Sequence, residues 1–346
     1  MDKADLDDVA ARWTAAMRVG DFAEAWRQTD RVELPRRVSE AAGGFVWRPH
    51  HLLWNGRAFD GCDVLVRCNH GLGDTLQFAR FVPMIGKRAR SVTLLVQPVL
   101  LPLFAGSADF GDVRNGWTAE PPPRHDVEIE IMELAYAFRS SVETLPRSVP
   151  YLPIAGIAAR PLPLPGISGT CALRIGVLWA ASGWDSSRSI ALDALTPLAP
   201  LAHAEGIEFY SLQQGDGQHA WRDAPFAMHP LSEHTGDIVR AASAMLQLDL
   251  IIAVDGMPAH LAGALGRPVW VLLKHDADWR WMRERSDTPW YPTMRLFRQP
   301  RARDWGAVGL SVAQALGEIA KLRCGSLPDV GRGAPSPQPS PGGRGS

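Results

Sequence analysis

The chain has 346 residues, a length that holds about two domains of ordinary size. Apolar residues make up 46% of the chain and charged residues 21%, which excludes a fibrous or largely disordered protein. The 36 basic and 37 acidic residues leave a formal net charge of -1. No general attraction to nucleic acid or to an acidic membrane is therefore expected, and a phosphate group would need a local binding site.

The cysteines and the first residues of the chain indicate the cellular compartment in which the protein is expected. The cysteines are scattered, at Cys62, Cys68, Cys171 and Cys324, and no Cys-x-x-Cys pair occurs. This pattern disfavours a zinc ribbon or a disulfide framework, and it favours a reducing compartment. Residues 1–8 are acidic and lack the apolar core of a signal peptide, and no run of about 18 apolar residues is present. We expect a soluble, cytoplasmic protein, for which peripheral contact with a membrane surface stays open.

Residues 1–55 are predicted to be helical. Apolar side chains recur there at helical spacing, namely Val9, Trp13, Met17, Phe22 and Trp26. The fragment Gly-Asp-Phe-Ala-Glu-Ala-Trp resembles the turn and second helix of a tetratricopeptide repeat, yet no second copy follows. A degenerate repeat packed on the rest of the chain and an ordinary helical hairpin both remain open. In either case these helices are a candidate surface for a protein partner.

Short apolar runs and amphipathic stretches alternate from residue 56 to residue 157. Strands are predicted at 63–67, 91–97 and 126–132, with a helix at 75–87. Strands that alternate with helices favour a parallel sheet. The segment 150–169 is rich in proline and glycine, which predicts a linker.

The alternation starts again in residues 158–324. Four more strands are predicted, at 174–179, 207–212, 250–254 and 268–273, and three helices, at 238–248, 258–265 and 308–322. The final segment, 325–346, is rich in Gly, Pro and Ser and is predicted to be disordered. The outline is that of two doubly wound α/β domains, 56–157 and 158–324. Ligands of such sheets bind at the carboxyl ends of the strands, here facing a cleft between the domains.

The first candidate site follows the strand at 63–67 and opens a helix. Gly71 and Gly73 allow the backbone to turn sharply and to approach a ligand closely. The third glycine of a dinucleotide fingerprint is absent, since Phe78 stands there. Asp74 offers a carboxylate that suits a general base for a hydroxyl acceptor, or alternatively a helix cap.

The second candidate site follows the strand at 250–254. Asp255 and Gly256 precede a helix whose first amides are predicted to bind a diphosphate. Asp255 suits either a helix cap or a bond to a ligand hydroxyl. His260, one turn into the helix, suits contact with a phosphate or sugar, whereas the alternative is a structural histidine.

The third candidate site lies at the ends of two other strands. Arg188 follows the strand at 174–179 and could neutralise a phosphate, although an exposed loop arginine is the alternative. Trp179, Gln213 and Gln214 stand at the same predicted edge and are candidates for contact with a base or ribose, or for solvated positions. No metal cluster is recognisable.

An aromatic group near the end of the chain forms the fourth candidate. Its residues suit stacking on a sugar or base, or packing in a core, and are Trp270, Trp279, Trp281, Trp290 and Tyr291.

Four segments together carry a resemblance to a known family. They are His-Gly-Leu-Gly-Asp-Thr-Leu-Gln-Phe-Ala-Arg from His70, Arg-Ser-Ile from Arg188, Asp-x-x-x-Ala-His-Leu-Ala-Gly-Ala-Leu-Gly-Arg-Pro-Val-Trp-Val-Leu-Leu from Asp255, and Asp-Trp-Arg-Trp from Asp278 with the Trp-Tyr-Pro that follows. Over residues 50–322 the chain resembles the glycosyltransferase domain of bacterial tetratricopeptide-repeat proteins. That domain is similar to glycosyltransferase family 9, the ADP-heptose:lipopolysaccharide heptosyltransferases.

The resemblance implies a GT-B fold with two Rossmann-like domains and an inverting, metal-independent transfer without a cofactor. The donor would be a nucleotide-diphospho-sugar, and the acceptor a glycan, a lipid-linked saccharide or a protein. Asp74 matches the family's proposed base and Arg188 a position that contacts the donor phosphates. Further donor-binding positions match Gly71, Gly73, Asp255, Gly256, His260, Leu261 and Gly263.

Two positions depart from the family pattern. Gly256 stands where a Thr or Ser is common, so one hydroxyl contact to phosphate is lost. Asn69-His70 replaces the Glu-Gln that is common in the repeat-linked subgroup.

The function that the resemblance implies is that of a glycosyltransferase. The alternatives are a non-catalytic interaction scaffold with a degenerate GT-B domain and an epimerase of nucleotide sugars.

Overall fold

The structure, a computed structural model, describes residues 3–44, 48, 51–165, 173–181, 183–202 and 206–325. The predicted disordered tail lies outside these residues except for its first member. No described helix is both long and apolar enough to span a bilayer. The helices are α1 (Lys3–Val19), α2 (Phe22–Ala41), α3 (Leu72–Phe78), α4 (Val82–Gly86), α5 (Leu101–Phe104), α6 (Leu134–Ala137), α7 (Ile154–Ala158), α8 (Ala199–Ala202), α9 (Ile238–Leu246), α10 (Met257–Ala264) and α11 (Trp305–Gly325).

The strands form two parallel sheets. In chain order they are β1 (Asp63–Arg67), β2 (Ser91–Val96), β3 (Asp112–Asn115), β4 (Val127–Glu130), β5 (Leu173–Leu178), β6 (Ile207–Ser211), β7 (His229–Pro230), β8 (Leu250–Val254), β9 (Val269–Leu273) and β10 (Met294–Arg298). The first sheet has the order β3-β2-β1-β4 and the second the order β10-β9-β8-β5-β6-β7. The described strand pairs are parallel in both. The carboxyl ends of neighbouring strands therefore meet at one edge of each sheet.

The predicted strands agree with the structure to within about two residues at each end, and β1 and β8 agree fully. Strands β3, β7 and β10 were not predicted. All three lie at or next to an outer edge, where one side of a strand faces solvent. Arginines alternate with apolar residues in β10, and β3 has a single apolar residue. Neither strand therefore contains a continuous apolar run by which it could be identified.

The predicted helix at 75–87 is divided in the structure. It consists of α3, a short 3-10 turn at Ala79–Phe81, and α4. Pro83 explains the division, because its ring nitrogen has no hydrogen to donate to the carbonyl of residue 79 and its ring crowds that carbonyl.

Strand β8 shows how the second sheet is buried on both faces. Ile251 and Ala253 point into one hydrophobic cluster, and Leu250 and Ile252 into another. The first cluster continues through α10 into the first sheet and the N-terminal helices, whereas the second lies between the sheet and α11. Burial on both faces is typical of a parallel sheet covered by helices.

Helices α1 and α2 form a hairpin that packs on the rest of the chain. Gly20 turns the chain with a φ of +80°, and Asp21 caps α2 by accepting a bond from the Glu24 N–H at 2.9 Å. Trp26 donates through Nε1 to the Ser140 carbonyl at 2.7 Å. The hairpin is thus joined to the region just after the first sheet.

A pair of glycines in α11 tests how tightly this helix packs. A Cβ at Gly309 would lie 1.9 Å from the Ala194 carbonyl oxygen, whereas a Cβ at Gly306 would meet nothing within 4 Å. We expect Gly309→Ala to lower the free energy of unfolding by about 1–3 kcal/mol, because backbone must shift. The control, Gly306→Ala, should be neutral or stabilising by up to about 1 kcal/mol. Urea unfolding measures the change in the free energy of unfolding for both variants. Equal changes would contradict the close packing of Gly309 on Ala194.

Candidate functional site

The loop between β1 and α3 is held at the carboxyl edge of the first sheet. Gln97, which follows β2, donates to the His70 carbonyl at 2.8 Å and accepts from the Thr75 hydroxyl at 2.9 Å. Glu130, at the end of β4, accepts from the Asn69 N–H at 3.2 Å. The position of Asp74 is therefore fixed by partners on both strands that flank β1.

Asp74 uses its two carboxylate oxygens differently. Oδ2 accepts a bond from the N–H of Gly71, the residue that caps α3, at 3.0 Å. Oδ1 accepts a bond from Arg280, which lies between β9 and β10 of the second sheet. The alternative that Asp74 caps the helix thus accounts for one of its oxygens. The other oxygen faces the half of the protein that contains the second sheet.

Two buried glutamates support this edge and were not identified from the sequence. Glu133 accepts N–H bonds through Oε2 from Leu53 at 2.8 Å, Trp54 at 3.0 Å and Glu130 at 3.1 Å. Burial raises the pKa of Glu133 to about 7 and the pKa of Glu130 to about 8, although the N–H bonds that each carboxylate accepts act to lower its pKa. Only their place at the end of β4 could have indicated a role.

The carboxyl edge of the second sheet gathers positive charge. Arg188 follows β5, with its side chain 20% exposed and its Nε 3.4 Å from the Asp185 carbonyl. Lys274 follows β9 and pairs with Asp185 at 2.7 Å. Hydrogen bonds from Lys274 and Ser187 lower the pKa of Asp185 to about 2. Asp255, at the end of β8, is only 6% exposed.

The start of α10 offers fewer free amides than the sequence predicted. Gly256 is its N-cap, Pro258 has no N–H, and the amides of Ala259 and His260 already bond to the Gly256 carbonyl at 3.1 and 3.4 Å. Burial raises the pKa of Asp255, while the positive charges of Arg280 and Arg188 oppose that rise. An anion at this place would therefore depend more on the two arginines than on the helix.

His260 is buried between α10 and α3. Its Nδ1 lies 3.0 Å from the Tyr291 hydroxyl, its ring stacks on Trp281 at 5.3 Å, and a Cβ on Gly73 would lie 2.9 Å from its Cδ2. Burial, followed by the charges of nearby arginines, holds the pKa of His260 well below its ordinary value. The structure thus gives His260 and Gly73 a packing contact between the two halves of the protein.

Two other predicted donor-binding positions are also occupied by internal contacts. Leu261 is fully buried, and Gly263 packs closely against Tyr291 and Met294. Most of the predicted aromatic group is core: Trp281, Trp290 and Tyr291 are each at most 1% exposed.

The predicted base or ribose contacts stand at the second edge, as expected from their strands. Gln213 is 6% exposed, and its Oε1 accepts from the N–H of Trp179 at 3.1 Å. Gln214 donates to the Ser232 carbonyl at 2.8 Å. Trp179 itself is buried. Gln213 thus joins the loops after β5 and β6, and Gln214 joins the loop after β6 to the segment after β7.

Arg80, in the predicted helix of the first half, reaches into the second half. It donates to the Trp290 carbonyl and to the Tyr151 hydroxyl, the latter at 3.1 Å, and its guanidinium lies 4.3 Å from the centre of the Tyr291 ring. Tyr151 in turn donates to the Leu76 carbonyl at 2.7 Å. These buried contacts fix α3 against the segment after β9.

Arg280 joins the two charged edges and was missed from the sequence, although it stands within the Asp-Trp-Arg-Trp fragment. Its side chain is 13% exposed, and it bonds to Asp74 and, at 2.9 Å, to Asp278. Its charge also acts on Asp255, as does that of Arg188. Asp74 is thus paired with Arg280, and the charges of Arg280 and Arg188 both act on Asp255; the Asp74 side chain is 22% exposed.

The segment that carries Arg280 is braced by the N-terminal hairpin. Trp279 packs edge-on against Trp13 of α1, with ring centres 5.2 Å apart. The Arg283 N–H donates to the Arg18 carbonyl at 2.8 Å, and Arg18 pairs with Asp276 at 3.0 Å. Helix α1 thus helps to position a residue of the candidate site.

Comparison with known proteins identifies the fold. No protein-family model matches the chain. Protein FlbA of Caulobacter vibrioides is 24% identical over 338 residues, which cover 90% of this chain and 55% of FlbA, so that the chain spans just over half of this relative.

Two solved structures are similar over most of this chain. A glycosyl transferase of family 9 from Veillonella parvula matches with a TM-score of 0.54 and 10% identity, covering 78% of this chain and 99% of that one. The ADP-heptose LPS heptosyltransferase II of E. coli matches with a TM-score of 0.53 and 12% identity, covering 75% and 99%. The chain thus has the α/β fold, with parallel sheets and helices, of these two transferases.

The buried Glu133 predicts how stability depends on pH. Its pKa of about 7 lies above the ordinary value of 4.5, so between these values the folded protein keeps a proton that the unfolded chain has lost. The free energy of unfolding should then fall as pH rises from 4.5 to about 7, by up to about 1.4 kcal/mol per pH unit for this carboxyl.

Glu133→Gln should remove that contribution, since an amide oxygen can still accept the three N–H bonds. Urea unfolding between pH 5 and pH 8 measures the slope in each variant. The exposed Glu120 provides a control, and Glu120→Gln should leave the slope unchanged. A slope in Glu133→Gln as steep as that of the unsubstituted protein would contradict the assignment.

Proposed function

We propose that this protein is a glycosyltransferase that moves a sugar from a nucleotide-diphospho-sugar to a hydroxyl acceptor, with inversion and without a metal ion. The observation that carries the proposal is the ion pair between Asp74, at the edge of the first sheet, and Arg280, whose charge acts together with that of Arg188 on Asp255 at the edge of the second sheet. A carboxylate and a group of cations are the two parts that this reaction needs, and the fold is that of family 9 transferases.

The chemistry assigned to these residues follows from their charges. Asp74 would take the proton of the acceptor hydroxyl, whose oxygen then attacks the anomeric carbon. The bond from that carbon to the diphosphate oxygen breaks as the new bond forms, on the opposite face. Arg188, more than the amides before His260, would stabilise the negative charge that develops on the leaving nucleoside diphosphate.

Access to these residues requires movement of the two edges. Asp74, Arg280 and Arg188 are 22%, 13% and 20% exposed, and α3 packs on α10 through Gly73 and His260. A nucleotide sugar would enter only if these edges separate and would then be enclosed as they close again, which excludes water from the reaction. The name of the E. coli ADP-heptose LPS heptosyltransferase II includes ADP-heptose, so ADP is the first nucleotide to test.

Replacement of the proposed base tests this function. Asp74→Asn should lower transfer by at least about 100-fold while nucleotide binding is retained, because the amide cannot accept the proton. Transfer is measured as release of nucleoside diphosphate from ADP-, GDP-, UDP- and CDP-sugars with glycan acceptors, and binding by thermal shift with the four diphosphates.

The control is Asp109→Asn, at an exposed position on a 3-10 turn before β3, which should keep full turnover. Full turnover in Asp74→Asn would rule out Asp74 as the base. If the unsubstituted protein binds none of the four diphosphates, the scaffold alternative is favoured instead. Release of free nucleotide in the absence of any acceptor would favour the epimerase alternative.

Gly256 provides a test of the donor side. Its φ of 177° is extended backbone, and a Cβ there would only touch Pro258 at 3.6 Å, so a hydroxyl side chain fits. Gly256→Ser should restore the contact that family members make and tighten nucleoside diphosphate binding several-fold, as calorimetry would show. Gly306→Ser, in the first turn of α11, serves as the control. Equal affinity in Gly256→Ser and the unsubstituted protein would place the donor elsewhere.

A further inference from the structure

We propose that Arg280 exchanges between two partners, the carboxylate of Asp74 and the β-phosphate of the bound nucleotide, so that donor binding frees Asp74 to act as the base. The inference rests on the proposed function, which it deepens by assigning a switch and an order of binding to the same site. Arg280 has no assigned role in the resemblance or in the comparisons.

The first step is that Arg280 is surrounded by more negative charge than it carries. It bonds to Asp74 and Asp278, and its charge acts on Asp255 as well. Its Nε is buried and has no hydrogen-bond partner among the described residues. A guanidinium presents its donors as a planar fork that fits a phosphate, and an unpartnered Nε leaves part of that fork available.

The second step concerns the partner that Arg280 now holds. Oδ2 of Asp74 accepts the Gly71 N–H, so Oδ1 is the oxygen that remains for a hydroxyl acceptor. In the structure Arg280 occupies that oxygen. An acceptor hydroxyl and Arg280 therefore crowd the same oxygen, and Asp74 becomes fully accessible to the hydroxyl once Arg280 has moved.

The third step is that a diphosphate can draw Arg280 away. A nucleoside diphosphate carries more negative charge than a carboxylate, and it would lie beside Asp255 and the start of α10, within the field of Arg280. The β-phosphate is bonded to the anomeric carbon that the acceptor attacks, so it is the phosphate that comes nearest to Asp74.

The segment around Arg280 is built for a defined position. Its guanidinium lies over the Trp279 ring at 4.9 Å, and that ring is held by Trp13. Met282 and Glu284 adopt left-handed φ values of 51° and 56°, which ordinary side chains rarely adopt without support. We therefore assign the exchange to the Arg280 side chain and not to the backbone that carries it.

The exchange makes an unusual prediction for binding. Asp74→Asn removes the charge that competes for Arg280, so the affinity for a nucleoside diphosphate should rise, by about threefold to tenfold. The affinity for the corresponding monophosphate, which lacks the β-phosphate, should stay the same. Arg280→Gln should weaken diphosphate binding about tenfold or more, and Arg280→Lys by less, because the charge is kept.

Calorimetry tests the exchange with a double-mutant cycle. The ligand is whichever of ADP, GDP, UDP and CDP gives the largest thermal shift, together with its monophosphate. In the Arg280→Gln background, Asp74→Asn should no longer tighten diphosphate binding. A purely structural role for Arg280 would weaken both nucleotides alike and would leave the effect of Asp74→Asn at zero.

The outcomes separate the exchange from the proposed function. If the unsubstituted protein binds a diphosphate and Asp74→Asn leaves that affinity unchanged or weaker, the exchange is wrong and the proposed function stands. If no diphosphate binds, both are wrong. Should Arg280→Gln fail to fold, the comparison of diphosphate with monophosphate in Asp74→Asn alone decides, since only the exchange predicts a gain confined to the diphosphate.

Discussion

The ion pair between Asp74 and Arg280 is the interaction on which the arrangement of the site depends. It connects a residue held by β1, β2 and β4 of the first sheet to a segment that follows β9 of the second. A buried charge is costly unless it is paired, so the pair constrains how the two edges meet. Packing of Gly73 on His260 and the bonds of Arg80 act in the same direction. The N-terminal hairpin supports the arrangement from outside through Trp13.

Much of the fold could be predicted because its strands are short apolar runs buried on both faces. β8 is an example: its five residues are apolar and buried, and the limits of the apolar run identified both ends. The edge strands β3 and β10 could not be identified this way, since β3 has no buried side chain and β10 alternates arginine with apolar residues. The break at Pro83 was missed because the apolar pattern continues through it, although proline prevents a continuous helix there.

The site was predictable where a residue lies in the loop or the helix start that comes after a predicted strand. Asp74, Arg188 and Asp255 were placed at sheet edges on that ground, and in the structure Asp74 pairs with Arg280, whose charge acts together with that of Arg188 on Asp255. Arg280 lies in an irregular segment, where spacing carries no information about which way a side chain points. Lys274 directly follows β9 but was not singled out. Which partner each residue has depends on the packing of the two sheets, and His260, predicted as a candidate ligand contact, is enclosed by that packing.

A crystal structure of the protein with the nucleoside diphosphate that it binds is the most direct measurement of the central claim, that charges from the two sheet edges serve one ligand. The account predicts the diphosphate within hydrogen-bond distance of Arg188 and Arg280, with the free oxygen of Asp74 facing the same space. A diphosphate bound away from both arginines, with the bond between Asp74 and Arg280 intact, would contradict it.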